Sequence, residues 1–199
     1  MMKQPLVLMF DLGGVLIEND TFSRLQALLP YVMSVAELKQ KWLMSDAVRR
    51  FELGQCLPQE FAQAFLLEWS LPLTEQTFLA EFMSWPKGYY PGVLAMLQAL
   101  RQSYRLVCLS NSNVLHWARF GRLDQDFDLA LSSHLLGAIK PDPAAFAMAL
   151  AQCQATPDVV WYFDDAQVNV LAAASMGIKA FHTDGFEEVQ ATLRAHHIL

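Results

Sequence analysis

Three short apolar runs, each ending on a residue that can do chemistry, constrain the fold of this chain more than any other feature. Residues 6–10 (LVLMF) end at Asp11, residues 105–109 (RLVCL) at Ser110, and residues 159–163 (VVWYF) at Asp164 and Asp165. Continuous apolar runs of this length suit strands buried on both faces, as in a parallel sheet. Weaker strand candidates lie at 129–132 and 178–182. Helical patterns at 92–101, 143–152, 169–176 and 187–195 separate them. Strand then helix, repeated, predicts an α/β fold: a three-layer, Rossmann-like parallel sheet covered by helices on both faces.

The stretch from Glu18 to Gly88 breaks this alternation with helix after helix and no convincing strand. Phe22, Leu25, Leu28 and Leu29 keep helical spacing. Ser34 and Glu37 form a capping box ahead of Leu38 and Trp42, in a helix that Gly54 can stop. Pro58 suits the first turn of the next helix, with Phe61, Phe65 and Trp69 on one side, and Thr74 opens the last. The expectation is a core made of residues 1–17 and 89–199, with a small all-helical cap, residues 18–88, inserted after the first strand. Trp42, Trp69 and Trp85 read as cap core, although one of them facing the cleft could stack on a sugar.

Composition narrows the class. Of 199 residues, 14 are Lys or Arg and 20 are Asp or Glu, a net charge of −6, which lacks the basic face that nucleic-acid binding needs. With 54% hydrophobic residues the chain can fill a core, which excludes disorder as the main state. Cys56, Cys108 and Cys153 share no metal-ligand spacing and read as reduced thiols. Asp11 interrupts the apolar run at the start, where a signal peptide would otherwise be suspected, and no stretch reaches the roughly 18 apolar residues of a membrane span. A soluble, cytoplasmic protein without nucleic-acid or membrane partners is expected. Oligomeric state is not encoded in any recognisable feature, and a monomer is compatible with the sequence.

In an open parallel sheet, ligands bind beyond the carboxyl ends of the strands, where Asp11, Ser110 and the Asp164-Asp165 pair all fall. Each has a bland alternative as turn former or helix cap, Ser110 for a helix near Val114. Taken in order, FDLGGV, LSNSN, IKPD and FDDAQVN make the chain resemble the haloacid dehalogenase superfamily, most of whose members are aspartate-nucleophile phosphatases. LSNSN with His116 behind it, and FELGQ before Pro58, look most like the branch holding the sugar-1-phosphate phosphatases and the phosphatase domain of soluble epoxide hydrolase. The resemblance implies Asp11 as nucleophile, Ser110 and Asn111 as phosphate binders, and Lys140 as the conserved lysine. It further implies a Mg²⁺ site of Asp11, the Gly13 carbonyl and Asp165, with Asp164 and Asn169 behind it.

The chemistry agrees with that assignment. A carboxylate attacking an anionic phosphate ester needs local positive charge, which Mg²⁺ and Lys140 would supply, and Pro141 would begin the helix after Lys140. The family's second aspartate, the acid and base two residues beyond the nucleophile, is here Gly13. Loss of such a group typically costs about 10² to 10⁴ in rate, so good leaving groups should be preferred. His116 could act as a surrogate acid or lie on a helix surface; His182, His196 and His197 show no ligand spacing. The expected function is a Mg²⁺-dependent phosphatase of a small phosphorylated metabolite, a sugar phosphate such as glucose 1-phosphate. The alternatives are a phosphate-metabolite binding or regulatory protein with little turnover, and a 2-haloacid dehalogenase.

Overall fold

The computed structural model describes residues 5–199. Residues 1–4, which open the expected core segment 1–17, lie outside the described residues. Strands β1 (Val7–Phe10), β4 (Arg105–Ser110), β5 (Leu129–Ser132), β6 (Val160–Asp164) and β7 (Lys179–His182) form a parallel sheet in the order β5-β4-β1-β6-β7. β1 is therefore central, with β4 and β6 on its flanks, and the carboxyl ends of all three meet at one edge.

The alternation of side chains along these strands divides the core into two layers. Leu8, Phe10, Leu106, Cys108, Trp161 and Phe163 face α6 (Val93–Leu100) and α12 (Phe186–Ala195). Val7, Met9, Val107, Leu109, Val160 and Tyr162 face α10 (Pro143–Cys153) and α11 (Gln167–Ser175). Both faces are covered, which is why the strands read as unbroken apolar runs. α7 (Val114–Phe120), α8 (Leu123–Asp126) and α9 (Ser133–Leu136) complete this layer system. The three cysteines carry free thiols.

Between β2 (Ile17–Asn19) and β3 (Pro86–Tyr89) lie five helices: α1 (Thr21–Leu28), α2 (Val35–Met44), α3 (Asp46–Glu52), α4 (Pro58–Glu68) and α5 (Glu75–Met83). They enclose an aromatic core of their own, with Phe51 stacked on Phe61 at 4.2 Å and Phe65 on Phe78 at 4.9 Å. Trp69 and Trp85 are buried in it. The capping box at Ser34 and Glu37 forms, Pro58 opens α4, and Thr74 caps α5.

Three expectations need correction. β2 and β3 pair antiparallel as a two-stranded ribbon at the root of the helical insert, in a region where no strand was foreseen. The single helix from Ser34 towards Gly54 is two, because buried Ser45 takes an extended conformation and caps α3 by accepting from the Val48 N–H. The helix after Lys140 begins at Pro143, with Pro141 following a cis peptide bond. Among the described residues, no helix is long and apolar enough to cross a membrane.

Candidate active site

Asp11 leaves the end of β1 into a turn, its own N–H donating to the Phe163 carbonyl of β6 at 2.8 Å. Lys140 arrives from the loop before α10, and its ammonium lies 3.1 Å from Asp11 Oδ1 and 2.7 Å from Asp164 Oδ2. The lysine side chain is 1% exposed, so this bridge is almost wholly out of solvent. Burial alone would strip the proton from such a lysine, but the two carboxylates outweigh it and hold the ammonium charged. Asn111 fixes the loop: its Nδ2 donates to the Lys140 carbonyl at 2.8 Å, and its Oδ1 accepts from the Lys140 N–H at 2.9 Å.

The two adjacent aspartates differ. Asp164 is fully buried and its oxygens are spent on Lys140, the Ala166 N–H, the Asn169 amide and the Tyr162 hydroxyl. Tyr162 precedes it by two residues on β6 and therefore shares its face. Asp165 turns instead into the open cleft. Gly14, at φ +77°, leaves it room: a Cβ there would lie 2.9 Å from Asp165 Oδ2. Asp11, Asp164 and Asp165 each present an oxygen within 4.8 Å of the others. Burial pushes the Asp11 carboxyl up to about 7, with Lys140 pulling it down and both neighbouring aspartates pushing it higher. Burial and Asp164 raise Asp165 as well.

A cleft of about 540 Å³ opens over these groups. Asp11, Gly13, Ser110, Asn111, Lys140, Asp165 and Asn169 all line it, so seven of the eight expected residues converge on one cavity and Asp164 lies behind them. Ser110 is not a helix cap: Asn113 caps α7, accepting from the Leu115 and His116 N–H groups. The opposite wall comes from the insert, where Phe22, Lys39, Gln40, Trp42 and Leu43 face the cleft. Of the three tryptophans, Trp42 is the one that does so.

His116 lines the cleft, and its ring is also held by the insert. Its Nε2 lies 2.9 Å from the Phe82 carbonyl of α5, and its ring stacks on Phe82 at 4.2 Å. Desolvation lowers it to about 4, so it is neutral near pH 7 and pins the insert to the sheet layer. Arg49 on α3 bridges to Asp142 at 2.7 Å across the same junction.

Three polar residues here escaped the sequence reading. Tyr162 was legible from the two-residue period of β6. Glu52 sits in the phrase FELGQ; its carboxyl is pushed up to about 8 by burial, with the Asp11 charge adding to the rise and Lys140 opposing it. Asn19, at the end of β2, lines the cleft beside Gly13, and no local sequence signal marked it.

The donor set is all hard oxygen, one carboxylate of it open to the cleft, which suits Mg²⁺ rather than a softer ion. Known proteins resemble the chain along most of its length. The chain is 25% identical to a D-ribitol-5-phosphate phosphatase of Bacteroides thetaiotaomicron over 89% of its length and 91% of that protein's. A haloacid dehalogenase family enzyme from that organism, solved with magnesium and inorganic phosphate, superposes with a TM-score of 0.72 at 22% identity, covering 89% of this chain and 93% of that one. An L-2-haloacid dehalogenase gives 0.59 at 26% identity, covering 89% and 83%. The model of the haloacid dehalogenase-like hydrolases matches residues 6–177, and the chain belongs to that family.

Proposed function

We propose that the chain is a Mg²⁺-dependent phosphatase of small phosphorylated metabolites, sugar or polyol phosphates in class, working through an aspartyl-phosphate on Asp11. The observation that carries this reading is the charge arrangement of the site: a buried lysine clamped between Asp11 and Asp164, with Asp165 turned to the cleft. Asp11, Asp165 and the Gly13 carbonyl would hold Mg²⁺. That ion would neutralise phosphate oxygens and keep Asp11 ionised despite its burial.

Asp11 attacks phosphorus with a carboxylate oxygen; the P–O bond to the leaving alcohol breaks, and that oxygen takes a proton from solvent. Water then hydrolyses the acyl phosphate, freeing inorganic phosphate and the Asp11 carboxylate. Lys140 pairs with the transferring group's oxygens, and the Ser110 hydroxyl, at the end of β4, hydrogen-bonds to them. Asn111 does not need to touch substrate with its side chain, since it holds Lys140 in position. Asp164 and Asn169 keep the ammonium and the Asp165 turn in place. A polyol phosphate accords with the named Bacteroides relative and with a cleft whose insert wall mixes Trp42 and Phe22 with Gln40 and Lys39.

The absence of a carboxyl at Gly13 and the neutral, committed His116 favour a second reading, a phosphate-metabolite binder with slow turnover. Phosphate release decides between them. Glucose 1-phosphate, ribitol 5-phosphate and p-nitrophenyl phosphate are assayed with Mg²⁺ or EDTA, for wild type and Asp11→Asn. The proposed function requires release that depends on Mg²⁺ and drops by at least about 10³-fold in Asp11→Asn, the scale on which loss of a nucleophile acts. Stabilisation by these esters without release would support the binder, and chloride release from 2-chloropropionate without Mg²⁺ would make it a dehalogenase.

A further inference from the structure

Gly13 is the position at which a catalytic side chain is missing, and the structure shows what occupies the space. A Cβ built on Gly13 would lie 3.2 Å from Asn19 Nδ2. The amide's orientation is set by its other end, because Asn19 Oδ1 accepts from the Thr21 N–H at 3.0 Å and from the Thr21 hydroxyl at 2.6 Å. The NH₂ end is therefore the one turned towards Gly13. Both residues line the cleft with Asp11.

The phosphoryl group must sit against Lys140 and Ser110, so the organic half of the ester fills the remainder of the cleft. There the wall formed by β2 and the insert mixes Ile17, Phe22, Trp42 and Leu43 with Gln40 and Lys39, and of its polar groups Asn19 is the one beside Gly13. Asn19 puts amide N–H donors into that wall, beside the turn that carries Asp11. We propose that Asn19 is a catalytic residue of this chain, donating a hydrogen bond from Nδ2 to the ester oxygen that leaves phosphorus. This rests on the phosphatase reading above. Asn19 transfers no proton: the leaving oxygen is protonated by solvent, and the amide stabilises the negative charge that builds on it as the P–O bond breaks. The more basic the leaving oxygen, the larger the share of rate that the amide supplies.

The test compares wild type, Asn19→Ala and Asn19→Asp on phenyl phosphate and p-nitrophenyl phosphate, with Mg²⁺, across pH, alongside the melting temperature of each. Asn19→Asp keeps an oxygen for both Thr21 bonds but removes the N–H donor and adds a charge that acts alike on both esters, so a purely structural asparagine would give equal losses on the two. The expected result is a loss in kcat/KM of about 10- to 100-fold on phenyl phosphate in both variants, the scale of a hydrogen bond to a charged group. The loss is smaller on p-nitrophenyl phosphate, and in Asn19→Asp it eases at acid pH, where its carboxyl regains a proton. Asn19→Ala within twofold of wild type on both esters, or equal losses on both in the two variants, would overturn the inference. Phosphate release absent from the wild type would instead overturn the phosphatase reading, and this inference with it.

Discussion

At the residue scale, the site is a problem of charge held out of water. Lys140 is a buried cation between two carboxylates, and its removal in Lys140→Met would leave Asp11 and Asp164 facing each other in low dielectric. Breaking a buried pair by deleting one partner typically costs about 3–5 kcal/mol. Without Lys140 the Asp11 carboxyl rises further above 7, so denaturant unfolding in EDTA should show the larger loss at pH 8.5, where wild-type Asp11 is ionised and paired, and a smaller one at pH 6, where Asp11 is neutral in both proteins. Equal losses at the two pH values would show that Lys140 stabilises the fold through Asp164 alone. Asp11, Ser110, Lys140 and Asp165 were legible because each follows an apolar strand or sits in a short ordered motif. Their supports were less so. Nothing local to Asn111 announces its two side-chain bonds to the Lys140 backbone, and nothing local to Asn19 says that it lies beside Gly13.

At the element scale, the strands and most helices of the sheet layers follow from period and capping, since the three central strands β1, β4 and β6 are buried on both faces. Expected and observed strand bounds differ by about one residue. What was hidden depends on contacts distant in sequence: the break at Ser45 relies on a bond to Glu68, and the β2–β3 ribbon pairs segments nearly seventy residues apart. The junction between insert and sheet is of the same kind. Gly54, at φ +70°, brings α3 so close to α9 that a Cβ would lie 2.6 Å from the His134 carbonyl oxygen. Gly54→Ala therefore combines the left-handed backbone penalty, about 1 kcal/mol, with a clash against backbone that cannot easily yield. Gly137, at φ +67°, has nothing within 4 Å of the same added atom, so Gly137→Ala isolates the backbone penalty. Thermal unfolding should place Gly54→Ala well below Gly137→Ala, and equal shifts would show that α3 moves aside at no cost.

At the scale of the whole molecule, a chain with a net charge of −6 gathers Asp11, Asp164 and Asp165 beside buried Lys140, and Glu52 of the insert feels the charges of Asp11 and Lys140. Glu52 belongs to the insert and Asp11 to the sheet, so their mutual repulsion acts across the junction that encloses the cleft. The Glu52 carboxyl is raised from 4.5 to about 8, by burial first and by the Asp11 charge second. The folded state then holds a proton that the unfolded state has released. The stability this contributes is complete below about pH 4.5, declines as pH climbs towards 8, and is gone above it. Glu52→Gln carries no proton to lose. Measured by urea unfolding in EDTA from pH 5 to 8.5, wild type should lose stability relative to Glu52→Gln by up to about 1.4 kcal/mol per pH unit, with the two curves running parallel beyond pH 8. Parallel curves across the whole range would place the Glu52 carboxylate in contact with solvent and return the junction to packing, Arg49 and His116 alone.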